Sequence, residues 1–150
     1  MSNLSNIEIS RIIRKYNPNP DKDVFLGVFP IDSLPERVPH YPSCMVINTQ
    51  SHNLPGEHWI SIFITKDKRG EVFDSLGLPL SNFLIRWLNR FTKSWRYNRK
   101  TYQRLSSDKC GAFVIYFLLH RLEKKTPTFS DSLAANDQLV NMFYQILKKK

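Results

Sequence analysis

"SSDKCGAFVIYFLLH", Ser106 to His120, is the stretch on which the rest of the chain turns. Four polar residues lead into a long apolar run, which predicts a buried helix beginning near Cys110. The cysteine stands at the polar edge of that run. At a helix N-terminus a thiol feels the partial positive charge of N–H groups that have no intrahelical partner, and this favours the thiolate. A lone cysteine is also a common small core residue. The reactive reading therefore requires a base, and a further group to orient that base.

Four histidines are available. His120 lies ten residues along the same predicted helix, about 15 Å from Cys110 by helical rise, too far to serve that thiol. His40 and His52 fall in predicted loops. His58 opens an apolar strand and is followed by Trp59, so it either projects into a cleft or is a satisfied strand-end histidine. Asp74 closes the strand that returns from it. In an antiparallel hairpin the start of one strand lies near the end of the next, and side chains two positions off register remain about 7–8 Å apart. Asp74 can therefore reach and orient the His58 imidazole, or serve as a turn residue before Ser75 and Gly77.

Around this nucleus the chain reads as alternating elements. Ser5-Asn6-Ile7-Glu8 has capping-box spacing and predicts a helix with Ile9, Ile12, Ile13 and Tyr16 on one face, ended by "NPNPD" from Asn17. Val24–Phe29 reads as extended, and a loop with Pro30, Pro35, Pro39 and Pro42 follows. Cys44–Thr49, His58–Thr65 and Glu71–Asp74 read as strands. Ser81 caps a predicted helix from Asn82 to about Lys93, with Phe83, Leu84, Trp87, Leu88 and Phe91 as its buried face. Trp95–Gln103 alternates like a strand. A last amphipathic helix carries Leu139, Met142, Phe143, Ile146 and Leu147. The order predicts an α+β class and one domain over residues 1–150.

The totals agree with a packed, non-secreted protein. An apolar fraction of 41% supports an ordinary core. Two cysteines make no disulfide framework, which fits a reducing compartment. The polar N-terminus "MSNLSNIEIS" is unlike a secretory signal. The longest uninterrupted apolar run, Ala112–Leu119, falls well short of the roughly 20 residues that span a membrane. A formal net charge of +9 favours a polyanionic partner.

"GEHWISIFI" (Gly56–Ile64), "VFDSLG" (Val72–Gly77) and "DKCGAFVIYFLLH" (Asp108–His120) resemble the adenovirus-type cysteine protease, adenain, and its relatives in adenovirus-like viruses and large DNA transposons. The resemblance extends upstream through "FLGVFP" and "CMVINTQ" and covers most of Val24 to His120. It implies a papain-like α+β fold, shared with proteases that remove ubiquitin-like modifiers, with a central mixed sheet flanked by helices. It implies Cys110 as nucleophile, His58 as general base, Asp74 as the third triad member, and Gln103 as a donor in the oxyanion hole. The plain alternative for Gln103 is a polar strand-end residue. Trp59 would wall the substrate cleft, or else be core. The implied reaction is acyl transfer on protein substrates after glycine, as in viral or capsid precursors, by a monomer in a virion or in the host nucleus or cytoplasm. No cofactor is expected. DNA or a peptide is the implied activator, and Cys44, upstream of His58, does not match the position through which family members join such a peptide.

From Ser75 to Ser107 there is no acidic residue, while Arg86, Arg90, Lys93, Arg96, Arg99, Lys100 and Arg104 fall there with Trp95, Tyr97 and Tyr102 interleaved. This is either a surface for phosphate backbones or a solvated face. Two other functions stay open: a protease for ubiquitin-like modifiers, and a basic nucleic-acid-binding module with an idle triad.

Overall fold

The computed structural model describes residues 4–18, 23–50 and 57–150. His52, Gly56 and most of the "NPNPD" stretch lie outside them. The element order is α1 (Asn6–Tyr16), β1 (Phe25–Pro30), β2 (Ser43–Gln50), β3 (Glu57–Ile64), β4 (Arg69–Phe73), α2 (Asn82–Phe91), β5 (Ser94–Tyr97), α3 (Cys110–Leu122) and α4 (Leu133–Lys149). The five strands form one mixed sheet in sequential order. β2, β3 and β4 pair antiparallel, and β1 and β5 join the two edges in parallel. This is the α+β class that the element order predicts, with the central mixed sheet flanked by helices that the resemblance implies.

Strand alternation divides the core in two. Cys44, Val46, Trp59, Phe63 and Phe73 face α1, α3 and α4. Met45, Ile47, Ile60, Ile62 and Val72 face α2. α3 lies between β3 on one side and α1 and α4 on the other. Almost its whole circumference is buried as a result, which is why its sequence shows little polar stripe. α1 has the expected capping box, in which Ser5 and Glu8 satisfy each other's backbone N–H groups.

Three elements depart from the sequence reading. β5 stops at Tyr97 instead of running to Gln103. Asn98 ends it by bonding its side-chain amide to the Asp74 backbone, accepting from N at 3.0 Å and donating to O at 2.7 Å. Arg99 then turns the chain away at φ 53°. α2 ends at Phe91. Leu84, Trp87 and Leu88 are buried, but Phe83 is exposed beneath the Arg86 guanidinium. α4 is rotated from its predicted face: Asn136, Asp137, Val140 and Tyr144 are buried, while Leu139, Met142 and Ile146 are exposed. Two polar anchors set that rotation. Asn136 donates to the carbonyls of Tyr102 and Ser130, and Asp137 pairs with Arg104 at 2.7 Å. Buried polar groups need such partners, so they outrank apolar residues in fixing the face.

Candidate active site

Cys110 is the first residue of α3. Lys109, before it, makes no side-chain capping bond, and the first intrahelical bond shown there runs from the Phe113 N–H to the Lys109 carbonyl. The first-turn N–H groups therefore give the helix end its positive character beside the thiol. Gly111 is needed for packing: a Cβ there would come within 3.0 Å of the Leu4 side chain, which covers the start of the helix.

His58 is the second residue of β3, opposite Thr49. The β3–β4 register sets Ser61 opposite Phe73, and continuing it by one residue sets Asp74 opposite Ile60. Asp74 is thus two positions off register from His58 and on the same face, as the hairpin argument requires. The His58 Nε2 and Asp74 Oδ1 atoms lie 2.6 Å apart. Hydrogen bonding to Cys110 also acts on the His58 ring. With Nε2 turned to the carboxylate, Nδ1 is the nitrogen left for the thiol. The three side chains are only 3–4% exposed.

Burial disfavours the charged imidazole, but hydrogen bonds to Asp74 and Cys110 and their negative charges outweigh it, raising the His58 pKa to about 9. Asp74 is itself held. Oδ1 accepts from the Leu76 N–H at 2.9 Å and Oδ2 from the Leu78 N–H at 3.2 Å, while the Tyr97 hydroxyl, which donates to the Leu78 carbonyl, lies 3.4 Å from Oδ2. Burial, and then the Asp74 charge, keep the Tyr97 phenol well above its ordinary pKa, so it remains a donor.

Gln103 is buried, and its side chain is fixed at both ends. Oε1 accepts from the Ser75 hydroxyl at 2.5 Å and Nε2 donates to the Ser107 carbonyl at 3.0 Å. Cys110, His58 and Asp74 are therefore brought together. Gln103 is tied to Ser75, the residue after Asp74, and to Ser107, three residues before Cys110. Trp59 differs from its cleft-wall expectation: it is 1% exposed, within the core beside α3. Cys44 is buried, and its thiol is pushed well up by desolvation, only partly offset by Arg14. His120 bonds the Tyr116 carbonyl through Nδ1 and packs at a tilt against the Tyr116 ring.

The seven basic residues are exposed but do not share one face. Arg86 and Arg90 lie on α2, whereas Arg96 shares Glu71 with Arg121 of α3, on the opposite side of the sheet. Lys100 pairs with Asp131 and Arg104 with Asp137. The acid-free stretch in the sequence is thus partly neutralised by acids from elsewhere. Tyr97 donates to the Leu78 carbonyl beside Asp74, and Tyr102 stacks on Phe73 and packs at a tilt against Phe129. Ser75, Tyr97 and Asn98 were not legible as site residues, because each acts through a partner 23 to 28 positions away. Among the described residues, no helix is long and apolar enough to cross a membrane, and no cluster of His, Cys, Asp or Glu is arranged to hold a metal.

Comparison with known proteins agrees with this geometry. Residues 44–150 match the Ulp1 protease family, C-terminal catalytic domain. The chain is 29% identical over 112 residues to the cysteine protease S273R of African swine fever virus, covering 65% of this chain and 40% of that protein. The crystal structure of the African swine fever virus pS273R protease superposes with a TM-score of 0.56 at 16% identity, over 91% of this chain and 61% of that one. The Chlamydia abortus effector ChlaDUB superposes with a TM-score of 0.54 at 14% identity, over 71% of this chain and 58% of that one. The fold is shared with both structures. The chain spans less than half the length of its curated relative. These likenesses support the wider protease group and do not single out adenain.

Proposed function

The chain belongs to the Ulp1 protease family, and from that premise we propose that it is a cysteine endopeptidase acting through Cys110, His58 and Asp74. The observation that carries this reading is the 2.6 Å contact between His58 and Asp74, with Cys110 hydrogen-bonded to the same ring. His58 takes the Cys110 proton, and its raised pKa holds the ring as an imidazolium below about pH 9. The thiolate attacks a peptide carbonyl. The Cys110 backbone N–H and the second Nε2 hydrogen of Gln103 stabilise the resulting oxyanion. The imidazolium then gives its proton to the leaving amine, and a thioester forms. Water attacks the thioester as His58 takes its proton, the acid is released, and that proton returns to the Cys110 sulfur.

The finer proposal is cleavage after glycine in viral or capsid precursor proteins, as the adenain resemblance implies. The curated relative is a viral cysteine protease, which supports that substrate class. The family match favours a second reading, a protease for ubiquitin-like modifiers. A peptide library, a capsid precursor and a panel of Gly-Gly-ended modifiers, each assayed with and without duplex DNA, separate the two. Turnover of the precursor or of Gly-containing peptides supports the first reading, and release of modifiers alone supports the second. A wild-type chain that cleaves none of them and whose Cys110 resists thiol labelling at neutral pH is an idle triad.

A further inference from the structure

We propose that Ser75 is a positioning residue for the oxyanion-stabilising amide of Gln103, an inference that rests on the oxyanion role just given to that glutamine. Ser75 and Gln103 are each 1% exposed. An amide can be set either way round in its plane, and its neighbours decide which way. The Ser107 carbonyl can only accept, so the amide end 3.0 Å from it is Nε2. The end facing Ser75 is then the oxygen, and the Ser75 hydroxyl must donate to it across 2.5 Å. Rotated by half a turn, the amide would set its oxygen against the Ser107 carbonyl. Ser75 and Ser107 together commit Oε1 and one Nε2 hydrogen, leaving the second hydrogen for the substrate oxyanion.

The main chain reinforces the same connection. The Ser75 carbonyl accepts from the N–H of Tyr102 at 2.7 Å and of Gln103 at 3.0 Å. Thr101 donates its hydroxyl to the Leu76 carbonyl at 2.9 Å. The residue that follows the triad carboxylate in sequence therefore holds the oxyanion donor in space. One loop fixes both the group that orients His58 and the group that meets the developing charge.

Without the Ser75 hydroxyl, Oε1 is buried without that donor and the amide loses one of its two side-chain tethers. The interaction at stake is made in the transition state, so the loss falls on kcat rather than KM. Removing an oxyanion donor outright costs about 10²–10³ in kcat, and loosening one should cost about 10-fold to 100-fold. The experiment is a double-mutant cycle on the best fluorogenic peptide from the library, with the alkylation rate of Cys110 by iodoacetamide measured in parallel. Alkylation depends on the thiolate and on His58 but forms no tetrahedral oxyanion. Ser75→Ala should lower kcat, leave KM and alkylation close to wild type, and cost nothing further in a Gln103→Ala background. Ser75→Cys, which keeps the side-chain shape with a slightly larger and weaker donor, should fall between wild type and Ser75→Ala, and its kcat carries the test if the alanine variant fails to fold. Full kcat in Ser75→Ala overturns the proposal. So does alkylation that falls in step with kcat, or a double variant well below Gln103→Ala, since either shows Ser75 acting elsewhere. A Gln103→Ala enzyme with unchanged kcat removes the oxyanion reading itself, and this proposal with it, while leaving the triad standing.

Discussion

Cys110 and Cys44 carry the same thiol in opposite surroundings. Cys44 is buried in β2, where desolvation holds its proton on. Cys110 heads a helix beside an imidazole whose pKa is raised to about 9. A thiol-reactive probe at pH 7 should therefore label Cys110 and spare Cys44 in the native protein. Cys110→Ala should abolish turnover with an unchanged circular dichroism spectrum, and Cys44→Ala should keep most of the activity. An essential Cys44 would overturn the site. For Asp74 the sign follows from what raises the His58 pKa. Asp74→Asn removes the carboxylate charge and its hydrogen bond, so the pKa falls from about 9. The imidazolium that protonates the leaving amine is lost as pH rises through that value. The alkaline limb of kcat should accordingly start near pH 9 in the wild type and move to lower pH in Asp74→Asn, at a reduced maximal rate. A limb that stays in place would mean that another group orients His58.

At the scale of elements, the turn after β4 and the strand-end segment after β5 form one unit. Asp74, Ser75 and Leu76 are bonded to Asn98, Thr101, Tyr102 and Gln103. Gly77 makes the close approach possible: its φ is 65°, and a Cβ there would lie 2.6 Å from the Arg99 carbonyl oxygen. A side chain in that backbone region costs about 1–2 kcal/mol before any clash. Gly77→Ala should lower the Tm and also reduce kcat, because the carboxylate and the glutamine ride on the displaced turn. Thermal melts and steady-state assays on one preparation would check both. A variant that melts lower yet keeps full kcat would show that the site is insulated from the turn.

At the scale of the whole molecule, the excess of positive charge is spread around the fold. Arg96, Lys100 and Arg104 are engaged by Glu71, Asp131 and Asp137. Arg86, Arg90, Lys93 and Arg99 have no ion pair among the described residues. If DNA binds through those four, each neutralised phosphate contributes about −0.9 to the slope of log affinity against log salt. Affinity should then fall roughly 150-fold between 50 and 200 mM salt. Changing Arg86, Arg90 and Lys93 together to Ala should flatten the slope by nearly three. A salt titration with a labelled duplex of arbitrary sequence measures this, and no binding at 50 mM salt would reduce the charge to a solubilising face while leaving the protease reading intact.

Local pattern was enough to find the helix headed by Cys110 and the β3–β4 hairpin and to put Asp74 within reach of His58, because each depends on short-range geometry: helical period and strand period. The same patterns misjudged the rotation of α4, the end of β5 and the exposure of Phe83. Apolar periodicity records which residues favour burial, but not which buried polar group, such as Asn136 or Asp137, will find its partner and set the face. The meeting of His58 with Cys110 is the clearest case of what tertiary structure decided. Strand alternation assigns His58 to the side of Ile60 and Ile62, beneath α2, whereas Cys110 heads the helix on the other side. They meet because β4 ends at Phe73, short of the position that would flank His58, so the sheet no longer separates its two faces at that end. The chain's local periodicities determined the parts of the site, and the unequal lengths of neighbouring strands, a property of the assembled sheet, let those parts touch.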